Sequence, residues 1–324
     1  MAMSLEEFLS EWRSHSPCVH VQTSGSTGAP KPMLVEKRRM LASARITCDF
    51  LGLKSGDTAL LCMSLDYIAG KMMVVRALER GLRLVSVPPS GHPLATMGDD
   101  AIDFAAMVPL QVYNSLQIPA ERARLMQIRQ LIIGGGAIDD ALGEALKTFP
   151  HAVWSTYGMT ETLSHIALRR LSGPEASDCY TPFPSVRVSL SPDDCLVIEA
   201  PAVCEGQLVT NDMAALLPDG RFRILGRKDN VICSGGIKIQ IEEVERQLHP
   251  HLQAPFLITR RPDPKFGEVC VLLTEGDAAE ASLVCERVLS KYYQPRLCLH
   301  VARVPLTETG KPARREAERL AAQA

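Results

Sequence analysis

The chain has 324 residues, 46% hydrophobic and 22% charged, with a formal net charge of −2 at neutral pH. That length accommodates one large domain and a smaller one, and the near-neutral balance gives no electrostatic footing for nucleic acid or an anionic membrane. No run approaches the roughly 20 apolar residues that cross a bilayer, so membrane insertion is not expected.

From Met1 to Trp12 the chain is polar and acidic, with Leu5, Phe8, Leu9 and Trp12 at helical spacing, unlike a secretory signal. Next comes Thr23-Ser24-Gly25-Ser26-Thr27-Gly28-Ala29-Pro30-Lys31, rich in hydroxyls and glycine. Glycines let backbone N–H groups turn towards an anion, and hydroxyls plus Lys31 add donors for phosphate oxygens. The GxxxxGK[ST] spacing of a Walker A loop is absent, and by composition alone an ordinary surface loop fits equally well.

Thr58 to Met63 and Leu82 to Val87 read as strands around a helix from Tyr67 to Arg80. Gln130 to Ile133 is a further strand, ended by Gly134-Gly135-Gly136. Asp139 then caps a helix towards Lys147, and Ala152 to Thr156 is the next strand. This alternation predicts an α/β fold with a mainly parallel sheet flanked by helices. The charge pairs Arg122/Arg124 and Arg314-Arg315 read as solvated helix faces. From about Phe183 to Leu225, turns such as Pro192-Asp193-Asp194 and Pro218-Asp219-Gly220 mark a small antiparallel β module. Beyond it a helix (Ile241 to Leu248), strands (Phe256 to Thr259, Val269 to Thr274) and a helix (Ala279 to Lys291) predict a small α+β domain. The expected division is 1–226 for the large N-terminal domain and 227–324 for the C-terminal one, with a short hinge near Asp229. Ten cysteines without a CxxC pair suit buried free thiols in a reducing, cytoplasmic setting.

Further motifs follow in order: Tyr157-Gly158-Met159-Thr160-Glu161, Thr210-Asn211-Asp212, Leu225-Gly226-Arg227-Lys228-Asp229, Ser234-Gly235-Gly236 and Thr309-Gly310-Lys311. Together with the Thr23–Lys31 segment they resemble the signatures of the adenylate-forming superfamily, in its acyl-CoA synthetase branch. The resemblance implies ATP, Mg²⁺ and coenzyme A as reaction partners of a carboxylic acid. Thr23, Ser24, Gly25, Ser26, Thr27, Gly28 and Lys31 would hold the phosphates, and Gly134, Gly135 and Gly136 would make room for adenine and acyl groups. Tyr157 would lie against adenine, Thr160 would meet the α-phosphate, and Glu161 would hold Mg²⁺. Asp212 and Arg227 would take the ribose, although Asn211 stands where the family has glycine. Asp229 would be the pivot of the small domain, and Ser234, Gly235 and Gly236 would line the pantetheine tunnel. Ile241 replaces an expected proline near that tunnel. Lys311 would stabilise charge as the carboxylate attacks the α-phosphate.

Only 22 residues precede Thr23, so the chain resembles a short form lacking most of the family's N-terminal subdomain. Surfaces normally packed by that subdomain would be absent, remodelled or shared with another chain, which leaves a homodimer open. The segment Tyr67 to Arg76 resembles that of o-succinylbenzoate–CoA ligases of menaquinone biosynthesis. There an arginine at the position of Arg76 pairs with a second substrate carboxylate. Tyr67, Arg76 and His165 are thus the candidate acyl-pocket residues. An exposed helix arginine and a structural histidine are the plain alternatives. A fatty or aryl acid ligase, an enzyme loading a carrier protein, and a degenerate nucleotide-binding protein are the competing functions.

Overall fold

A computed structural model of the chain describes residues 3–22, 32–98, 100–136, 138, 140–307 and 312–323. The Thr23–Lys31 segment, the Asp139 cap and Thr309-Gly310-Lys311 lie outside the described residues.

Helix α1 (Leu5–Arg13) starts at a capping box. The Ser4 hydroxyl accepts from the Glu7 N–H, and the Glu7 carboxylate accepts from the Ser4 N–H. The apolar stripe read from the sequence is the buried one, with Phe8 fully buried. Strands β1 (Cys18–Gln22) and β2 (Pro32–Glu36) pair antiparallel with Gln22 opposite Pro32. Their register sets the flanking residues Gln22 and Pro32 side by side.

Helix α2 (Lys37–Phe50) buries Met40, Ala44, Thr47 and Cys48, one face at helical spacing. Strand β3 (Thr58–Leu61), helix α3 (Ile68–Arg80) and strand β4 (Arg83–Ser86) then form the first crossover unit. Next come β5 (Phe104–Met107), helices α4 (Pro109–Gln117) and α5 (Pro119–Gln127), β6 (Gln130–Ile133), α6 (Asp140–Lys147) and β7 (Ala152–Gly158). Strands β8 (His165–Arg170) and β9 (Thr181–Pro182) complete the sheet. Its order is β4-β3-β5-β6-β7-β8-β9, parallel through β7 and antiparallel for the last two. Two apolar clusters sandwich it, one including α1–α3 and the other α4–α6.

The antiparallel module expected near 183–225 is β10 (Arg187–Leu190), β11 (Cys195–Glu199), β12 (Gln207–Leu216) and β13 (Phe222–Arg227) in simple meander order. The C-terminal α+β region contains β14 (Val231–Ser234), β15 (Ile237–Gln240), α7 (Ile241–Leu248), β16 (Phe256–Asp263), β17 (Gly267–Thr274), α8 (Ala278–Val288), β18 (Leu297–His300) and α9 (Arg314–Gln323). Helix α8 stops at Val288, short of the expected Lys291. The Gln294 amide donates to the carbonyls of Glu286 and Leu289, satisfying acceptors that a continuing helix would have used. Strand β7 runs further than expected and takes in Tyr157.

All ten cysteines are free, seven of them buried. No helix among the described residues is long and apolar enough to cross a membrane.

Candidate active site

Strands β5 and β6 end in step at Met107 and Ile133, β7 runs three residues further to Gly158, and the candidate motif residues of these strands gather at this C-terminal edge of the sheet. Gly134, Gly135 and Gly136 leave the end of β6, beside the strand that carries Tyr157. Between β7 and β8 the chain turns through a short 3₁₀ segment, Thr160–Thr162. Thr160 is buried there, while Glu161 is exposed.

That turn is held tightly. The Thr162 hydroxyl accepts from the Met159 N–H at 3.0 Å and lies 2.7 Å from the Ser164 carbonyl. Leu163 takes a left-handed conformation, φ 64°, which costs a β-carbon-bearing residue roughly 1–2 kcal/mol. Gly158 lets the turn close back on itself, since a Cβ there would stand 2.2 Å from the Ser164 carbonyl oxygen. Sequence reading passed over Thr162; its signal was a hydroxyl three residues after Met159, the spacing of a side-chain cap.

The motif residues of β7, β12 and β13 form one network. Tyr157 donates to Asp212 (Oη–Oδ2 2.7 Å), and Arg227 bridges Asp212 (3.1 Å) and Asp229 (2.8 Å). Asp212 and Arg227 are direct cross-strand partners of β12 and β13, so the sheet register brings them together. Burial, reinforced by Asp212, pushes the Tyr157 phenol above its ordinary range and keeps it a donor. Burial opposes the charge of Arg227, but Asp229 and Asp212 outweigh it and raise its pKa. Asn211, where the family pattern has glycine, donates its amide to both oxygens of Asp229 at 3.2 and 3.3 Å. The departure from the pattern thus adds a hold on the expected pivot.

Arg76 lies on the buried face of α3 with only 2% of its surface exposed. The exposed-arginine alternative is thereby set aside. Its Nη2 donates to the Ser164 hydroxyl at 2.8 Å, and its buried Nε has no partner among the described residues. Burial pushes its pKa down to about 10, so it stays a cation at neutral pH. His165 is also buried, with Nδ1 3.2 Å from Ser164 Oγ and Nε2 3.1 Å from Thr47 Oγ1. Burial first, then the Arg76 charge, holds its pKa well below the usual histidine value. An apolar cavity bordered by Ile46, Ile166, Phe183 and Val186 shares the same imidazole. Tyr67 does not reach this network. It caps the far end of α3, roughly 13 Å away along the helix, with its backbone bridged to Gln22.

Ser234-Gly235-Gly236 is the tip of the β14–β15 hairpin, with φ +58° and +86° at the glycines. A two-residue turn of that handedness demands glycine by itself.

The sheet, its C-terminal-edge cluster and the following α+β region define an adenylate-forming enzyme with the two-domain fold of that superfamily. The chain belongs to the AMP-binding enzymes, whose family pattern matches residues 5–211, and among them to the acid–thiol ligases of the AMP-forming acyl-CoA synthetase type. An acyl-CoA synthetase (AMP-forming)/AMP-acid ligase II-like protein from Dyadobacter fermentans is 32% identical, with 96% of this chain and 91% of that one covered at TM-score 0.67. A 2-succinylbenzoate–CoA ligase of Bacillus cereus is 26% identical over 93% of this chain and 69% of the relative. The o-succinylbenzoate CoA synthetase of Bacillus subtilis, in complex with ATP and magnesium ion, shares the fold at TM-score 0.78 with 23% identity, covering 92% of this chain and 69% of that one.

Proposed function

We propose that the protein joins o-succinylbenzoate to coenzyme A through an acyl-adenylate. The observation that carries the choice of acid is Arg76, a buried cation without a carboxylate partner among the described residues. An uncompensated buried charge costs several kcal/mol (roughly), and a second substrate carboxylate offsets that cost where a fatty acyl chain does not.

In the first step the substrate carboxylate attacks the α-phosphorus of ATP, the P–O bond to the β-phosphate breaks, and pyrophosphate leaves. Lys311 and the Thr23–Lys31 donors would neutralise the charge that builds on the phosphates. Glu161, exposed and carrying a hard oxygen ligand, suits a Mg²⁺ shared with substrate phosphates, which would supply further charge neutralisation. Thr160 would contact the α-phosphate, Tyr157 would pack on adenine, and Asp212 with Arg227 would receive the ribose hydroxyls. In the second step the coenzyme A thiolate attacks the acyl carbonyl and AMP leaves. The division at 226/227, with Asp229 as pivot, would let the C-terminal region turn between the steps and withdraw Lys311. A cytoplasmic site belongs to the same proposal.

A pyrophosphate-release screen over mono- and dicarboxylic acids, with and without coenzyme A, tests the assignment. Turnover is expected with o-succinylbenzoate, and thioester only when coenzyme A is present. Turnover with hexanoate and none with o-succinylbenzoate would sink it.

A further inference from the structure

Four side chains from three separate stretches of sequence are joined in series behind the acyl pocket, and their donor and acceptor limits fix the direction of every bond. Arg76 can only donate, so Ser164 Oγ accepts from Nη2 at 2.8 Å. At the other end the Ser43 carbonyl can only accept, and Thr47 Oγ1 spends its single hydrogen there at 3.0 Å. Thr47 must therefore accept from His165 Nε2–H at 3.1 Å. The neutral ring then offers a lone pair at Nδ1, and Ser164, 3.2 Å away, donates to it. Every hydroxyl hydrogen in the chain has one acceptor. Burial first, and then the buried guanidinium beside it, favours the neutral ring, and protonating His165 would also break this order of bonds.

The series ends on a buried guanidinium with a donor left over. Arg76 Nε is buried without a partner among the described residues, and Nη1 meets only the Met73 sulfur, at 3.9 Å. The neighbouring Cys48 thiol is pushed up by burial and stays neutral, so it does not serve as counter-ion.

We infer that Thr47, His165 and Ser164 form a positioning relay that fixes Nη2 of Arg76 and leaves the Nε donor for an anionic group of the substrate. The relay makes the site selective for a second carboxylate, rather than merely tolerant of one. This rests on the dicarboxylate reading of the site and adds the residues that enforce it.

The test compares adenylation of o-succinylbenzoate with that of 4-oxo-4-phenylbutanoate, which lacks only the ring carboxylate, in full-length protein. Thr47→Val keeps the side-chain shape and removes the acceptor for His165. It is expected to raise KM for the dicarboxylate about tenfold, with kcat little changed and monocarboxylate turnover within about twofold of wild type. His165→Leu should raise KM for the dicarboxylate more strongly. His165→Gln should restore KM, because its amide can accept from Ser164 and donate to Thr47. A wild type with no preference for the dicarboxylate overturns the substrate reading and the relay with it. A preference that is lost in Arg76→Leu but kept in Thr47→Val and His165→Leu overturns the relay alone. Thermal denaturation of each variant separates these outcomes from misfolding: if His165→Leu does not fold, the Thr47→Val and His165→Gln pair decides.

Discussion

Arg227 lies between Asp212 and Asp229 with its side chain 40% exposed, and its charge is matched within the protein. Arg76 is buried against a serine hydroxyl and a methionine sulfur, and its charge is matched by nothing among the described residues. The Arg227 cluster is thus self-compensated, and a ligand there would share partners that already have bonds. The Arg76 site is uncompensated, and an anionic ligand there would complete it. Affinity for a ligand common to many enzymes can afford the first arrangement; discrimination between acids needs the second.

Substitutions of three cations and one glycine test that contrast. Lys311→Ala should lower adenylation about 10²- to 10³-fold with nucleotide binding largely kept, read by pyrophosphate release alongside AMP titration. Unchanged release would remove Lys311 from the chemistry. Arg76→Leu should lower kcat/KM for o-succinylbenzoate about 100-fold and yet stabilise the folded chain by about 1–4 kcal/mol, because an unmatched buried charge is gone. A drop in Tm would mean that the charge is compensated after all. Gly158→Ala forces a Cβ against the Ser164 carbonyl and should cost about 1–3 kcal/mol in denaturant unfolding, disturbing the serine that holds Arg76. Arg227→Leu leaves two carboxylates adjacent, with Asp229 half in water and Asp212 still bonded to Tyr157. Its effect on stability should be the smallest, about 1 kcal/mol and of the opposite sign to Arg76→Leu.

Much of the architecture was legible because periodicity and turn residues agree. Gln130–Ile133 and Ile241–Leu248 have the bounds expected of them, and the antiparallel module falls where Pro-Asp turns cluster. Helices α4 and α5 were missed although each opens with proline, Pro109 and Pro119, at a position that favours a helix start. Within the site, the sequence placed Tyr157, Asp212, Arg227 and Asp229 together by motif, and they share one hydrogen-bonded network. Tyr67 and Arg76 were grouped because they lie in one segment, but a helix that holds them in line also holds them apart. Thr47 could not be read at all: its partner is 118 positions away, and only packing of α2 against β8 joins them.

The hairpin tip at Gly235-Gly236 bears on how any glycine scan of the thioester step is judged. An L-residue at either position strains the turn whether or not a thiol passes beside it, so a dead Gly236→Ala protein is ambiguous. The mirror-image residue is not. D-alanine placed at 236 by semisynthesis suits the positive φ while adding a methyl group. Full thioester formation by that protein would assign the glycine to the bend, and a selective loss of thioester formation would assign it to coenzyme A.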